Sequence, residues 1–273
     1  DNEKKENIGE LSLLFPLRDG RFSVLHKTVV DWLVSTKRKG QLFHIDHKKK
    51  EEAQQNLAEH CLQLVEEDLD LLPASNTYPL RFALAHARGV PSIRERAAKV
   101  LLSFPYLLKR VKVSAPKLLD DVRAIENVYK KHTPEDDKYR HALGLLRSAL
   151  SLSMQGLLAD FNQLAGQLVA HLMIYEDDKH GNTRVPLIAD FLQHVRQWTG
   201  PDSAVGWWCP LTPTYTPAGG ALQATLTGHS DFVGCVKYSP DGKFLVSASD
   251  DNSLKVIGAG YFFLNRLLWV CVF

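Results

Sequence analysis

The amino-acid sequence predicts a mainly α protein whose helices are followed by a single antiparallel β-sheet blade. Between residues 47 and 200, apolar residues recur at helical spacing, and frequent prolines divide the run into short helices. From residue 222 onward, short apolar segments alternate with turn sequences, which is typical of strands. We therefore expect an antiparallel stack of helices, with a β-hairpin before it and a small sheet after it.

The composition and charge limit the class of protein. The 273 residues include 45% hydrophobic and 23% charged residues, which is ordinary for a globular chain. The formal net charge of +2 provides no strong field for nucleic acid or an anionic membrane. Basic clusters at residues 37–39 and 48–50 have acidic neighbours at 51–52 and 66–68, which is typical of solvated helix faces. We expect no nucleic-acid partner.

The cysteines and the first residues favour a cytoplasmic location. Cys61, Cys209, Cys235 and Cys271 lie far apart and form no C-x-x-C pair, so neither a disulfide scaffold nor a cysteine zinc site is predicted. The chain begins with the polar residues DNEKK and shows no apolar signal stretch. We therefore expect reduced thiols in the cytoplasm.

Residues 1–40 are predicted to form a winged-helix-like end. In residues 11–25 (LSLLFPLRDGRFSVL), two apolar runs flank Asp19-Gly20, a strong hairpin signal. The next segment, residues 26–40, has the spacing of a short amphipathic helix that Gly40 ends. A hairpin directly followed by a helix is the arrangement of the C-terminal half of a winged helix.

Residues 41–200 are predicted to form a helical domain from several apolar stripes. The first stripe consists of Ala53, Leu57, Cys61, Leu64 and Val65. Further stripes comprise Leu143, Leu146, Leu150, Met154 and Leu157, then Leu164, Leu168 and Leu172, and finally Leu187, Ile188, Phe191, Leu192, Val195 and Trp198. No fixed repeat period is present, so no regular solenoid family is predicted.

Residues 201–221 are predicted to be an extended linker. The segment is rich in Pro, Gly and Thr and has no helical period. Its aromatic residues, Trp207, Trp208 and Tyr215, are expected to pin it against a neighbouring surface, because exposed aromatic rings would leave apolar area in water.

A repeat motif occupies residues 222–257. Strands are predicted at residues 233–238, 244–248 and 254–256, with turns at 239–242 (SPDG) and 251–252 (DN). The combination of GH at 228–229, SPDGK at 239–243 and SASDD at 247–251 closely resembles one WD repeat.

The WD resemblance implies a structural role for three residues. By this resemblance His229, Ser247 and Asp251 form the hydrogen-bonded triad that ties the strands of a blade together. Such a network is physically reasonable because a buried imidazole needs a partner for each ring nitrogen. The repeat departs from the family at Ile257-Gly258, where a Trp-Asp pair is expected.

One WD repeat cannot bury both faces of its sheet, since propellers have about four to eight blades. Residues 258–273, which follow it, form an apolar tail without repeat features. A membrane anchor is disfavoured because the tail is shorter than the roughly 20 apolar residues of a spanning helix and contains Asn265 and Arg266.

A second resemblance covers most of the remaining chain. Residues 14–34 look like the winged-helix end of NACHT-type STAND NTPases that carry WD repeats. Residues 147–150, 163–168, 210–214 and 217–220 are similar to the junction between helices and propeller in such proteins. The resemblance implies a nucleotide switch upstream of this chain, with a propeller that senses a ligand or holds the protein inactive.

No catalytic motif is found in the sequence. The P-loop pattern G-x-x-x-x-G-K-[ST] and the serine-hydrolase pattern G-x-S-x-G are both missing. His44 and His47 are spaced like a metal pair but have no supporting ligands in the sequence. We therefore expect no catalytic, cofactor or metal site in this chain, with ATP and Mg²⁺ confined to an upstream domain.

The sequence thus favours a non-catalytic regulatory region of a STAND NTPase that binds protein partners. The alternative from the same residues is a WD-repeat scaffold or adaptor without an NTPase. An enzyme with an unrecognised site is a third hypothesis. Oligomerisation of the full-length protein is left open.

Overall fold

The structure, a computed structural model, confirms a mainly helical chain with a small sheet near the C-terminus. It describes residues 47–67, 69, 77–135, 137–178, 184–200, 206–213, 215–222, 225–226 and 228–258, and short strands at 17–18 and 21–22. The helices are α1 (His47–Glu67), α2 (Tyr78–Ala87), α3 (Arg94–Leu101), α4 (Phe104–Val113), α5 (Ala115–His132), α6 (Lys138–Ala159), α7 (Leu164–Leu172) and α8 (Pro186–Arg196). Short 3₁₀ turns occupy Pro91–Ile93, Phe161–Gln163 and Met173–Tyr175.

The N-terminal hairpin forms where the sequence predicts it. Strands β1 (Leu17–Arg18) and β2 (Arg21–Phe22) are antiparallel, so residues 19–20 connect them. The predicted helix within residues 26–40, and with it the winged-helix arrangement, lies outside the described residues.

Prolines and an aspartate set the starts of several helices. Proline lies in the first turn of α2, α4, α5 and α8, where the amide hydrogen that it lacks has no partner within the helix. Helix α6 begins at an N-cap: Asp137 Oδ1 accepts from the amides of Tyr139 (3.0 Å) and Arg140 (2.9 Å). These starts divide the run into the short helices that the prolines predict.

The helical core follows most of the predicted stripes. Leu143, Leu146 and Leu150 of α6 are buried, and the apolar face of α8 is buried with them in one cluster. The stripe predicted for α1 is wrong in part, because Leu57 is 37% exposed. The buried residues of α1 are Ala58, Cys61, Leu62 and Val65. The helix is therefore rotated so that a neighbouring stripe faces α2 and α3.

The core also contains an ion pair. Asp121 Oδ2 accepts from Arg110 Nε (2.9 Å) and Nη2 (2.8 Å), and both side chains are buried. A more exposed Arg88 approaches Asp121 Oδ1 at 3.5 Å. Burial raises the pKa of Asp121, and the positive charge of Arg110 only partly offsets that effect.

Helix α6 also meets the length and composition of a membrane-spanning helix, with a mean hydropathy of 1.3. Half of its apolar window is buried inside the structure. A core helix of a soluble protein has the same features, so these criteria alone do not assign α6 to a membrane.

The C-terminal sheet contains β3 (Val233–Tyr238), β4 (Phe244–Ser249) and β5 (Leu254–Gly258), with β4 in the centre. Both pairings are antiparallel, and the β3–β4 pairing contains a register shift at Val233/Cys235. The predicted turn at 239–242 is present, and Gly242 adopts a φ of 68°, which favours glycine. Strand β5 continues through residues 257–258, the position at which the WD-repeat pattern has a Trp-Asp pair.

Candidate functional site

The structure brings His229, Ser247 and Asp251 together. His229 precedes β3, Ser247 lies within the central strand β4, and Asp251 lies in the turn between β4 and β5. His229 Nδ1 is 2.9 Å from Asp251 Oδ2, and His229 Nε2 is 2.8 Å from Ser247 Oγ. An ionised carboxylate only accepts, so Nδ1 carries the hydrogen, and in a neutral imidazole Nε2 accepts from the serine hydroxyl.

Asp251 also organises the backbone around it. Its carboxylate accepts from the Ser230 amide at 3.0 Å, from the Ser253 hydroxyl at 2.6 Å and from the Ser253 amide at 2.9 Å. These hydrogen bonds, that of the Ser253 hydroxyl foremost, hold the pKa of Asp251 well below its usual value. The network therefore joins the loop before β3, the central strand and the turn before β5.

Ser253 is a member of this network that the sequence reasoning missed. Its hydroxyl also lies 3.2 Å from His229 Nδ1. The available signal was its position two residues after Asp251, because an aspartate in a turn commonly accepts from the amide two residues on.

A second polar cluster holds the turn between β3 and β4. Ser239 Oγ donates to Asp241 Oδ1 at 2.6 Å and accepts from the Phe244 amide at 2.9 Å. The Lys243 amide donates to the same Asp241 oxygen at 3.1 Å. This side-chain network encodes the turn that the SPDG sequence predicts.

Hydrogen bonds connect Ser247 to His229 and His229 to Asp251, as in the catalytic triad of a serine hydrolase. Nucleophilic catalysis by Ser247 must therefore be considered. Nucleophilic attack requires a cavity for substrate at the hydroxyl and hydrogen-bond donors for the developing oxyanion. Ser247 instead lies in the middle strand of the sheet, paired with Val236 on one side and Lys255 on the other. A position between two strands favours a tie within the sheet.

A pocket of about 580 Å³ lies elsewhere, beside the start of α7. Its lining includes Asp160, Gln163, Gln167, Trp207 and Cys209, and none of the triad residues. Within the described part of the chain, no three His, Cys, Asp or Glu side chains cluster as metal ligands would. The side chains of His44 and His47 fall outside that part.

The segment predicted as a linker, where described, is docked on the helices. We call residues 206–220 the strap. Trp207 Nε1 donates to the Trp198 carbonyl at 2.5 Å, and the Gly219 amide donates to Ser148 Oγ at 2.8 Å. The strap is therefore attached both near its beginning and near its end.

A further attachment surrounds Ala218, which is fully buried. The Ala218 amide donates to the His171 carbonyl at 2.9 Å, and Tyr175 Oη donates to the Ala218 carbonyl at 2.6 Å. His171 Nδ1 lies 2.6 Å from the Thr216 carbonyl, and burial lowers the pKa of this histidine. One of these contacts joins two backbone groups, and the other two come from the side chains of Tyr175 and His171.

The aromatic residues of the strap behave differently from one another. Trp207 packs against the core, and Tyr215 contacts the His171 ring edge-on at 5.4 Å between centroids. Trp208 is 95% exposed, so the expectation that it pins the strap is wrong.

One face of the sheet is uncovered. Residues paired across antiparallel strands share a face, and so do alternate residues along a strand. By the observed register this face, which we call the outer apolar face, carries Phe244, Val246, Ala248, Leu254 and Val256, with Cys235 and Lys237 of β3 beside them. Leu254 is 72% and Val256 64% exposed. The strands are thus joined by the network around His229, and the outer apolar face is partly open to solvent.

Comparison with known proteins assigns this region. The family described as WD domain, G-beta repeat matches residues 220–257. Residues 220–257 are one WD repeat. The nuclear distribution protein PAC1 of Candida tropicalis is 44% identical over 46 residues, which is 17% of this chain and 9% of PAC1. The chain therefore matches less than a tenth of that relative's length. No solved structure gives a significant match.

Proposed function

We propose that this chain is a non-catalytic regulatory and protein-interaction region of a cytoplasmic STAND-type NTPase. In this proposal the helical stack braces the protein, and the WD repeat begins a protein-binding propeller. The WD repeat itself indicates a role in protein interaction or scaffolding. The observation that carries the proposal is the outer apolar face, because an exposed apolar sheet face is typical of a surface that a further blade or another protein covers.

The strap supports the bracing role. It leads from the helical stack to the WD repeat and is attached through the Ala218 and His171 hydrogen bonds. A segment with a buried residue and several backbone hydrogen bonds restrains motion more than a free Gly- and Pro-rich linker would.

The NTPase context rests on the resemblance of residues 14–34 to a winged-helix end, with a hairpin present at Leu17–Phe22. ATP and Mg²⁺ would bind only in a domain of the parent protein that precedes this region. The alternative is a WD-repeat scaffold without an NTPase. The coding sequence upstream decides between them, since a P-loop followed by a Walker-B strand supports the first and their absence supports the second.

A binding experiment tests the interaction role. A WD-repeat array lacking one blade is titrated with this chain, and binding is measured by light scattering or calorimetry. We expect binding that the double variant Leu254→Lys, Val256→Lys abolishes. The control Leu211→Lys changes a leucine outside the sheet that is even more exposed than Leu254, and this variant should bind normally. Equal binding by both variants would contradict the proposal.

The absence of catalysis is tested separately. The purified chain is assayed for nucleotide hydrolysis, for ester hydrolysis and for labelling by a serine-reactive phosphonate. We expect no turnover and no label on Ser247. Turnover that disappears in Ser247→Ala would support a hydrolase instead.

A further inference from the structure

The chain contains four described Ser/Thr-Pro dipeptides, at Thr133, Thr212, Thr216 and Ser239. A proline-directed protein kinase requires such a dipeptide, an accessible segment that can enter its cleft, and a hydroxyl able to reach the transferred phosphoryl group. The four sites share the Ser/Thr-Pro sequence but differ in their structural surroundings.

Two of the hydroxyls are already engaged. Thr133 Oγ1 donates to the Tyr129 carbonyl at 2.7 Å, at the end of α5. Ser239 Oγ donates to Asp241 and accepts from the Phe244 amide in the turn between β3 and β4. Phosphorylation at either position would require breaking local structure first.

Thr216 is exposed, but its backbone is held. Its carbonyl accepts from His171, and Ala218, two residues later, is fully buried. A kinase cleft must close around the residues next to the acceptor, so this part of the strap would have to leave the helices before it could be phosphorylated.

Thr212 differs from the other three. It is exposed, next to Leu211, which is 89% exposed, and four residues after Trp208, which is 95% exposed. Its hydroxyl makes no hydrogen bond within the part of the chain that the structure describes. From this comparison we propose that Thr212 is a phosphorylation site for a proline-directed Ser/Thr protein kinase.

The reaction would be ordinary phosphoryl transfer from a nucleoside triphosphate supplied by the kinase. Thr212 Oγ1 attacks the γ-phosphorus, its proton passes to the kinase's carboxylate base, and the bond to the nucleoside diphosphate breaks. The product carries a charge of about −1.5 to −2 near neutral pH. Because the Thr212 hydroxyl holds nothing in place, the phosphate adds a charged group to the strap without removing a contact.

The test uses the full chain, a purified proline-directed kinase and Mg–ATP, with site mapping by mass spectrometry. Since the segment around Thr216 must open first, we expect Thr212 to incorporate phosphate at least about tenfold faster than Thr216. Thr212→Val should remove most of the incorporation, whereas the matched variant Thr216→Val should leave it unchanged.

A peptide of residues 206–220 provides the second arm. It lacks the helices, so both threonines should be phosphorylated in it at comparable rates. Equal rates at Thr212 and Thr216 in the full chain, or no phosphate on Thr212, would overturn the proposal. The outcome does not depend on the proposed function, because phosphorylation is measured on this chain alone.

Discussion

His229 and Asp251 lie 22 residues apart in the sequence, and their side chains meet at 2.9 Å. Asp251 is the centre of the WD-repeat network, since it also binds Ser230 and Ser253. All of these donors favour the ionised carboxylate, so the charge of Asp251 is linked to the folding of the sheet.

This linkage gives the sheet a specific acid sensitivity. The pKa of Asp251 is lower in the folded than in the unfolded chain, so its contribution is complete above the unfolded value of about 3.9 and decreases as the pH falls toward the folded pKa. We expect the NMR signals of residues 228–258 to lose dispersion at acidic pH before the helical circular-dichroism signal decreases. Asp251→Asn should remove this contribution at all pH values.

Asp250→Asn is the matched control for that measurement. Asp250 is the exposed neighbour of Asp251, and among the described residues only its backbone amide makes a hydrogen bond, to the Phe232 carbonyl. The acid transition should be unchanged in this variant. An identical transition in Asp251→Asn and the unmodified chain would show that Asp251 does not control it.

The sequence alone predicts the features that depend on interactions between residues close together in the chain. The hairpin at Leu17–Phe22, the prolines in the first turns and the turn at 239–242 follow from residues close in the chain. The resemblance to a WD repeat predicts His229, Ser247 and Asp251, whereas Ser253 lies after the SASDD motif at residues 247–251 and is not predicted by it.

The docking of the strap could not be derived in the same way. A segment of Pro, Gly and Thr has no periodicity, and its position depends on His171, Tyr175 and Ser148, which are distant in sequence. The rotation of α1 has a similar cause. Leu57 and Leu62 are equally apolar, and only the position of the neighbouring helices determines which of them is buried.

A larger side chain at Ala218 should release the end of the strap. Ala218 has no exposed surface, so Ala218→Arg must either bury a charge or displace the backbone; overpacking alone costs about 1–3 kcal/mol. We expect faster hydrogen exchange at the amides of residues 218 and 219, measured by NMR, with unchanged helical content. Leu211→Arg, at an exposed site on the same strap, should leave this exchange slow. Unchanged protection in Ala218→Arg would show that the strap does not depend on this contact.

Removing one partner of the buried Arg110–Asp121 ion pair should lower the free energy of unfolding more than removing both partners. Asp121→Ala leaves Arg110 buried without its counter-ion, and we expect a loss of about 3–5 kcal/mol in the free energy of unfolding. The double variant Arg110→Met, Asp121→Leu should recover most of this loss, because it also removes the cost of burying the charges.

Urea unfolding followed by circular dichroism measures these differences. The exposed pair Lys117–Asp120 on α5 serves as the control, and Asp120→Ala should change stability by at most about 1 kcal/mol. A double variant as unstable as Asp121→Ala would show that the ion pair contributes net stability to the helical stack.

The outer apolar face of the sheet should bind a hydrophobic fluorescent dye. Leu254 and Val256 lie on the same face of β5 and are mostly exposed, so Leu254→Thr with Val256→Thr should reduce dye fluorescence and concentration-dependent association while β propensity is maintained. The comparison variant is Leu245→Thr on β4, whose side chain is only 9% exposed. It should instead destabilise the sheet and increase dye binding, because core side chains become accessible. If the Leu254 and Val256 changes leave dye binding unaltered, the dye-accessible surface lies elsewhere, and the outer apolar face is not the surface that a further blade or a protein partner covers.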